Sequence, residues 1–243
     1  MVYGITRIRN EKDIILTTLN HWSTICTGGI FIYDDKSTDN TVELCLKHPS
    51  VKKVIRGRFW DINRARAEFQ NRQSILQEVL KIANPNDWIV YFDADEFLYN
   101  FDTRLLTNSI DGIICRLFDV YITNDNLNVI WTKRDTIGPE YREILFFFRV
   151  SSIIGYSFLD QRECTLKPGS NIISCGYIKH YGKGFSIKQW EDTCKYYSKY
   201  FPKYAKKWEA RKGKAVHTVS DFGAELINFS DILSGKKQGF LLK

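Results

Sequence analysis

No long apolar run occurs in this sequence of 243 residues. The longest apolar cluster, residues 144–148, has the length of a strand, whereas a membrane-spanning helix needs roughly 18 or more consecutive apolar residues. Residues 1–8 also lack the apolar core of a secretory signal, because Arg7 interrupts a short strand-like segment. We therefore expect a globular, cytoplasmic protein.

Paired cysteines and glycine-rich loops are missing as well. The six cysteines show no C-x-x-C spacing, which argues against a zinc knuckle or a disulfide framework and favours a reducing compartment. The sequence contains no Walker A loop, and no G-x-G-x-x-G follows its first predicted strand. These absences weigh against P-loop ATPases and dinucleotide-dependent dehydrogenases.

Predicted strands and helices alternate along the first hundred residues. Apolar runs predict strands at 2–8, 30–33, 51–55 and 88–92, and helical spacing predicts helices at 11–25, from Thr38 or Asp39 to 46, and at 62–83. This alternation predicts the α/β class, with a mainly parallel, Rossmann-like sheet flanked by helices and a ligand crevice at the carboxyl ends of the strands. The hydrophobic content of 44% is ample for one such domain with a modest appendage.

Three carboxylates, Asp93, Asp95 and Glu96, directly follow the fourth predicted strand. Carboxylates this close repel one another unless a cation or a hydrogen-bond network compensates them. Oxygen ligands suit magnesium, manganese or calcium better than zinc. An isolated Asp-x-Asp is more often a plain acidic turn, so this segment alone leaves both interpretations open.

Three motifs share a placement at strand ends. They read Arg-Ile-Arg-Asn-Glu at 7–11, Tyr-Asp-Asp-Lys-Ser-Thr-Asp-Asn-Thr at 33–41 and Asp-Trp-Ile-Val-Tyr-Phe-Asp-Ala-Asp-Glu-Phe at 87–97. In order, spacing and placement they resemble the family 2 type of glycosyltransferase, which has the nucleotide-diphospho-sugar transferase (GT-A) fold. The resemblance covers residues 1–185. It implies a metal-dependent, inverting transfer of a sugar from a UDP-, GDP- or dTDP-sugar donor to a hydroxyl of a glycan, lipid-linked or protein-linked acceptor.

The resemblance also implies roles for individual side chains at the donor. Asp35 would bind the nucleobase, Asp93 the ribose, and Asp95 a divalent Mn²⁺ or Mg²⁺ ion that bridges the two phosphates. Arg72 is a further expected donor contact, although its Asn-Arg order reverses the Arg-Asn of related enzymes and a solvated helical arginine is the alternative. Arg7, at the end of the first strand, is expected to contact the base or a phosphate.

Two segments of the second half resemble family segments near the acceptor and the metal. Arg162-Glu163 matches the family's acidic pair, so Glu163 is the candidate general base that takes the proton of the acceptor hydroxyl. A surface Glu163 paired with Arg162 is the alternative, and Asp160 is the reserve base. His180, in a His-x-Gly segment, is the second candidate metal ligand, with a merely hydrogen-bonded histidine as the alternative. The other three histidines are expected to be structural.

Residues 186–214 differ in character, with nine basic residues against three acidic ones. Aromatic residues recur among them at a density typical of packed helices, which Pro202 would interrupt. We therefore predict a donor-binding catalytic domain at 1–185 and a basic, aromatic-rich helical extension at 186–243 packed on it. The basic residues form either a solvated face or a surface for an anionic acceptor or, peripherally, an anionic membrane. Nucleic acid is not expected, because no recognisable binding module frames them.

Two other functions are compatible with the same residues. A nucleotidyltransferase shares the fold, but it should carry a glycine-rich loop after the first strand, and residues 7–11 contain no glycine. A non-catalytic module that binds a sugar nucleotide or a glycan would use the same strand-end residues without turnover. Turnover assays separate such a module from an enzyme.

Overall fold

A computed structural model describes residues 1–157 and 162–242 of the chain. Strands and helices alternate in its first part, and strands dominate its middle. The strands are β1 (Val2–Ile8), β2 (Gly29–Asp34), β3 (Val51–Arg56), β4 (Trp88–Tyr91), β5 (Glu96–Tyr99), β6 (Gly112–Val120), β7 (Thr136–Arg149), β8 (Ile153–Gly155), β9 (Thr165–Leu166), β10 (Ile172–His180), β11 (Ile227–Asn228) and β12 (Phe240–Leu241). The helices are α1 (Ile15–Ser23), α2 (Thr41–Lys47), α3 (Arg64–Leu80), α4 (Ile187–Tyr200), α5 (Ala205–Glu209) and α6 (Phe229–Leu233).

The chain divides into two compact units. Unit 1 comprises Met1–Cys115 and Ile144–Gly176, and unit 2 comprises Arg116–Glu143 and Tyr177–Lys243. Strands β6, β7 and β10 contribute residues to both units. The expected division into a catalytic domain at 1–185 and an extension at 186–243 stays a prediction.

Unit 1 is built on a sheet with the strand order β3-β2-β1-β4-β7-β6-β10-β5. Strand β1 lies parallel to β2 and to β4, and β2 lies parallel to β3. Strand β7 runs antiparallel to β4, with Val90 opposite Phe147, so the sheet is mixed beyond its first four strands. The α/β class and the parallel arrangement of the first four strands are confirmed. Helical connections between parallel strands enforce this arrangement.

The core of unit 1 forms where the apolar face of α3 meets these strands. Ile75, Leu76 and Val79 of the helix pack against Ile5 of β1 and Ile89 of β4, and all five are buried. Burying an aliphatic side chain of this size contributes roughly 1.5–3 kcal/mol. The core therefore holds β1 and β4 against the helix that follows β3.

All three predicted helices of the first part begin later than expected, and α2 begins at Thr41 rather than at Thr38 or Asp39. Helix α1 begins at Ile15 rather than at residue 11, because the Glu11 carbonyl accepts the N–H groups of both Ile14 and Ile15 in a preceding turn. Helix α3 begins at Arg64 rather than at residue 62, because Asn63 caps it by accepting the Arg66 N–H at 3.1 Å. Local hydrogen bonds, rather than apolar spacing, set both boundaries.

Unit 2 places short strands and helices beside the remaining parts of the long strands. Strand β11 pairs antiparallel with β7, and β12 pairs parallel with it. Helix α4 ends at Tyr200 and Pro202 opens a short 3-10 turn before α5, which confirms the predicted interruption. Trp190 is buried, and Trp208 stacks on Tyr197 with 4.8 Å between ring centroids. No helix within the described ranges has both the length and the apolar character needed to cross a membrane.

Candidate active site

The loops that carry the first two motifs are joined by hydrogen bonds. Asn10 adopts a left-handed backbone conformation (φ 56°), which asparagine tolerates better than most residues. Its side-chain oxygen accepts the Thr38 N–H at 2.7 Å, and its own N–H donates to Ser37 Oγ at 2.9 Å. The residues that follow β1 and β2 therefore form one structure at the carboxyl edge of the sheet.

Asp35 lies at the centre of this edge and is buried. Its N–H donates to the Ile8 carbonyl at 2.9 Å. Its Oδ2 accepts hydrogen bonds from Arg7 Nη1 at 3.1 Å and from Arg64 Nη2. Two guanidinium groups thus compensate a carboxylate that would be costly to bury alone. Asp35 accepts both hydrogen bonds through Oδ2, so neither of them uses the lone pairs of Oδ1.

Arg64 and Trp60 are site residues that sequence reasoning missed. The guanidinium carbons of Arg9 and Arg64 lie 3.6 and 3.7 Å from the centroid of the Trp60 ring, within cation–π distance. The Arg64 side chain is fully buried. Helical spacing in the sequence could have indicated that Arg64 is buried, because Arg64 lies on the same buried face of α3 as Ala67 and Ile75. A cation on such a face indicates a buried partner for it.

Glu68 joins the two arginines that the sequence predicted. Its Oε1 accepts from Arg7 Nη2 at 3.1 Å, and its Oε2 accepts from Arg72 Nη2 at 3.3 Å. Arg72 is buried, and its Nε donates to the Tyr91 hydroxyl at 3.3 Å. The alternative of a solvated helical Arg72 is therefore wrong, since this position faces the strands. Its role as a donor contact stays a prediction.

Helix α1 fixes the loop that carries the third motif. The Thr18 hydroxyl donates to the Ala94 carbonyl, and Trp22 Nε1 donates to the Glu96 carbonyl at 2.8 Å. The Trp22 ring stacks on Phe92 with a centroid distance of 4.5 Å. The backbone between β4 and β5 is thus held at three points, although its sequence is strongly acidic.

A half-buried arginine, Arg162, compensates the acidic motif. Arg162 Nε lies 3.7 Å from Asp93 Oδ2, and Arg162 Nη2 donates to Glu96 Oε2. Glu96 also accepts the Asp93 N–H at 2.8 Å, and its side chain is only 1% exposed, which gives it a structural role. Burial alone would raise the pKa of Asp93, but the guanidinium groups of Arg162 and Arg72 hold it below its ordinary value. The predicted carboxylate repulsion is therefore relieved in part by a protein cation.

Negative charge still prevails next to this motif. Glu11 is half-buried, and loss of solvent together with the nearby Asp95 and Asp93 raises its pKa to about 8. Within residues 1–157 and 162–242, no three His, Cys, Asp or Glu side chains are grouped so as to hold a metal. Magnesium-like ions commonly take only one or two carboxylates and complete their shell with phosphate and water oxygens. The donor set around Asp95 fits such an ion and does not fit an all-protein cage.

Glu163 is held by backbone rather than by a cation. Its Oε1 accepts the Leu145 N–H of β7 at 2.7 Å, and the residue is half-buried. Arg162 pairs with Asp93 and Glu96 instead, so the alternative of a Glu163–Arg162 surface pair is wrong. Asp160, the reserve base, lies outside the described residues.

His180 ends β10 in unit 2. Its Nδ1 lies 2.5 Å from Asp119 Oδ1 and 3.5 Å from Arg142 Nη2. Burial alone would raise the pKa of Asp119, but Lys183 and Arg142 hold it well below its ordinary value. An ionised Asp119 places the proton of neutral His180 on Nδ1, so the lone pair is on Nε2, as in many metal-binding histidines. Asp95 belongs to unit 1 and His180 to unit 2, and their joint role as metal ligands stays a prediction.

Unit 1 also contains an open cleft of about 570 Å³ beside Asp35. Tyr33 of β2, Phe59 of the loop after β3 and Asn71 of α3 line it. The Phe59 side chain is largely exposed, whereas the Asn71 side-chain nitrogen is buried and has no hydrogen-bond partner among the described residues. The cleft thus combines an apolar wall with polar groups, as small-molecule sites do.

Comparison with known sequences gives limited matches. No family model matches the chain. Over 100 residues it is 28% identical to an uncharacterized protein of Mycobacterium tuberculosis and to one of Mycobacterium bovis. These alignments cover 39% of this chain, and the chain spans only 23% of the length of the two curated relatives.

Comparison with solved structures gives neighbours of low sequence identity. TarS 1–349 of S. aureus in complex with UDP is 15% identical, with a TM-score of 0.44, over 80% of this chain and 64% of that one. A glucosyl-3-phosphoglycerate synthase of Mycobacterium tuberculosis, in complex with Mn²⁺, UDP-glucose and phosphoglyceric acid, is 18% identical, with a TM-score of 0.32, over 54% and 47%. A further mycobacterial protein is 12% identical, with a TM-score of 0.41, over 82% and 74%.

Proposed function

We propose that this chain is a metal-dependent glycosyltransferase and that unit 1 binds its nucleotide-sugar donor. The observation that carries the proposal is the Asp35 site, a buried carboxylate held by Arg7 and Arg64 beside an open cleft at the carboxyl edge of parallel strands. Open α/β sheets bind ligands at this edge. With Oδ2 occupied by the two arginines, Oδ1 can accept a ring N–H of a base such as uracil.

The diphosphate of the donor requires positive charge, which a divalent ion would supply. Asp95, with the phosphate oxygens, would hold Mn²⁺ or Mg²⁺. When bound, such an ion stabilises the negative charge of the leaving diphosphate. Arg162, fixed on Asp93 and Glu96, adds a permanent positive charge at the same loop.

Glu163 is the proposed general base. The acceptor hydroxyl oxygen forms a bond to the anomeric carbon, the bond from that carbon to the diphosphate oxygen breaks, and the hydroxyl proton passes to Glu163. Attack from the face opposite the nucleotide inverts the anomeric centre. The hydrogen bond from Leu145 fixes Oε1, which leaves Oε2 to take the proton. The acceptor would be a glycan, a lipid-linked or a protein-linked hydroxyl in the cytoplasm.

Calorimetric titration with UDP, first with Mn²⁺ and then with EDTA, tests the donor site. We expect tighter UDP binding with Mn²⁺, and Asp95→Asn should remove that difference without changing the fold. Asp13→Asn is the matched control, because Asp13 is an exposed carboxylate in the turn before α1. Equal UDP affinity with Mn²⁺ and with EDTA in the unaltered protein would refute the metal assignment.

A second candidate, a non-catalytic module that binds a sugar nucleotide, is favoured by one observation. Arg162 already compensates Asp93, so nucleotide binding at this loop does not strictly require a metal. Slow hydrolysis of UDP-, GDP- or dTDP-sugars in the presence of Mn²⁺ separates the two functions. Hydrolysis that Glu163→Gln reduces supports the enzyme, whereas donor binding without any turnover supports the module.

A further inference from the structure

The Tyr91 hydroxyl joins a cation and a carboxylate at the end of β4. Arg72 Nε donates to this hydroxyl at 3.3 Å, and the hydroxyl donates to Asp93 Oδ1 at 3.0 Å. Tyr91 and Arg72 are both buried, and the Tyr91 ring lies in the core that α3 forms with β1 and β4. Because a close-packed core restricts the movement of a ring, the hydroxyl is a fixed point of attachment for Asp93.

The chemistry of the three groups determines the direction of these hydrogen bonds. A guanidinium only donates, so the Tyr91 oxygen accepts from Arg72. Although burial alone would raise it, the pKa of Asp93 is held below its ordinary value by Arg162 and Arg72, so the carboxylate only accepts. Burial, and next the charge of Asp93, raise the pKa of Tyr91 above its ordinary value, and the hydroxyl therefore keeps its proton at neutral pH. That single proton is directed at Asp93 Oδ1.

Tyr91 uses one carboxylate oxygen of Asp93 and leaves the other to different partners. Oδ2 lies 3.7 Å from Arg162 Nε, which is within ion-pair distance but beyond a hydrogen bond. The Asp93 side chain is 38% exposed, in contrast to 1% for the neighbouring Glu96. Asp93 is thus an oriented hydrogen-bond acceptor that a ligand can reach.

Arg72 continues the series of hydrogen bonds towards the proposed base contact. Its Nη2 donates to Glu68 Oε2 at 3.3 Å, and Glu68 Oε1 accepts from Arg7 Nη2 at 3.1 Å. Arg7 Nη1 in turn donates to Asp35 Oδ2 at 3.1 Å. The carboxylates of Asp35 and Asp93 therefore belong to one set of hydrogen-bonded side chains, which fixes their positions relative to each other.

An ionised carboxylate can accept hydrogen bonds from only some groups of a nucleotide sugar. The phosphates carry negative charge and repel it, whereas the hydroxyls and the N–H groups of the base can donate. Asp35 is the proposed partner of the base N–H. The ribose is bonded directly to the base, so its hydroxyls are the nearest donors for a second carboxylate that is held in a fixed position relative to Asp35.

We infer that Tyr91 is a positioning residue for donor binding, whose hydroxyl orients Asp93 to accept from the ribose hydroxyls of the donor. This inference rests on the proposed function. The site would distinguish a nucleotide that has ribose hydroxyls from one that lacks them, and loss of the Tyr91 hydroxyl would weaken that distinction. The hydroxyls of the transferred sugar offer the same chemistry, and the experiment separates the two sources.

The test is calorimetric titration of the intact protein, in the presence of Mn²⁺, with UDP and with 2′,3′-dideoxy-UDP. The unaltered protein should bind UDP about tenfold more tightly or better, the scale of a hydrogen bond to a charged group. Tyr91→Phe keeps the buried ring and should weaken UDP binding by about fivefold to tenfold. It should change the affinity for dideoxy-UDP by less than about twofold, because that ligand has no ribose hydroxyl for Asp93 to accept from.

Tyr156→Phe is the matched control. The Tyr156 hydroxyl lies in the same buried core as Tyr91, but it has no hydrogen-bond partner among the described residues, so its loss should change both affinities by less than about twofold. Arg72→Lys is a second test variant, because it keeps the charge and removes the Nε–H that donates to Tyr91. It should also weaken UDP binding more than dideoxy-UDP binding, and it decides the question if Tyr91→Phe does not fold.

Several outcomes would overturn the inference. Equal losses for the two nucleotides in Tyr91→Phe would leave the hydroxyl a structural role only, and an equal loss of UDP affinity in Tyr156→Phe would mean a general loosening of the core. Unchanged UDP affinity in Tyr91→Phe, with weaker binding of UDP-glucose, would assign Asp93 to the transferred sugar. These outcomes leave the proposed function standing. Absence of UDP binding by the unaltered protein would instead refute the proposed function together with this inference.

Discussion

The two charged clusters of this chain, one in each unit, differ in the sign of the charge that prevails. In unit 1 the pKa of Glu11 is raised to about 8 by loss of solvent and by the carboxylates Asp95 and Asp93. In unit 2 the pKa of Lys207 is lowered by loss of solvent and by neighbouring cations, Arg211 first. A cation bound beside Asp95 and Asp93 would relieve the repulsion at Glu11, whereas Lys207 is repelled by cations of its own unit. The charge that prevails thus has opposite sign in the two units.

This difference arises from the way in which each cluster is compensated. In unit 1 the buried carboxylates of Asp35 and Glu96 pair with Arg64 and Arg162, but Arg162 is shared with Asp93. The negative charge that raises the pKa of Glu11 therefore comes from Asp95 and from the only partly compensated Asp93. In unit 2 Asp119 and Asp221 are shared among three cations, Lys183, Arg142 and Arg211. The sign of the charge that remains after the internal ion pairs are counted indicates the class of ligand better than the number of charged residues does.

The largest expected effect is that of changing Glu163, whose carboxylate accepts a hydrogen bond from a backbone N–H. Glu163→Gln keeps the hydrogen bond from Leu145 but cannot accept a proton, so sugar transfer should fall by about 10²–10⁴-fold with little change in UDP binding. Initial rates with a saturating donor would measure this effect. Asp160→Asn serves as the control. Transfer that is lost with Asp160→Asn and kept with Glu163→Gln would move the base to Asp160.

The next effect concerns the arginines of unit 1, which should be essential to the fold. Arg64→Met leaves Asp35 with one guanidinium partner in a buried position, and breaking a buried ion pair costs about 3–5 kcal/mol. Urea unfolding would measure the loss. Arg66→Met is the matched control on the same turn of α3, where the side chain is 54% exposed, and it should cost less than about 1 kcal/mol. Similar losses for both variants would mean that Asp35 does not depend on Arg64.

Local sequence patterns were sufficient to place Asp35 and Asp93, because both follow apolar strands whose parallel neighbours end at one edge. The partners of these residues could not be predicted in the same way. Arg64 lies 29 residues from Asp35, and Arg162 lies 66 residues from Glu96. Such pairs depend on tertiary folding, and no spacing rule connects residues so far apart. Arg72 was open to misinterpretation for a related reason, since its burial depends on which face of α3 meets Tyr91.

Protonation of Glu11 provides a smaller and pH-dependent effect. Its folded-state pKa of about 8 exceeds the ordinary 4.5, so the folded protein binds more protons than the unfolded chain between these values. The contribution of Glu11 to the free energy of unfolding is therefore fully present below pH 4.5 and is lost as the pH rises towards 8. Glu11→Gln should raise the free energy of unfolding at pH 9 by on the order of 1–2 kcal/mol, since partial exposure screens the repulsion. Urea unfolding without metal at pH 5 and pH 9 would measure this. An equal change at both values would exclude Glu11 as the source.

The smallest expected effect is that of three exposed lysines of unit 2. Lys199, Lys203 and Lys206 are all exposed, so changing the three to Gln should alter the free energy of unfolding by less than about 0.5 kcal/mol each. Binding to vesicles that contain phosphatidylserine is the second measurement. Loss of vesicle binding in this variant would assign the exposed lysines to an anionic membrane, and unchanged binding would leave them a solvated face.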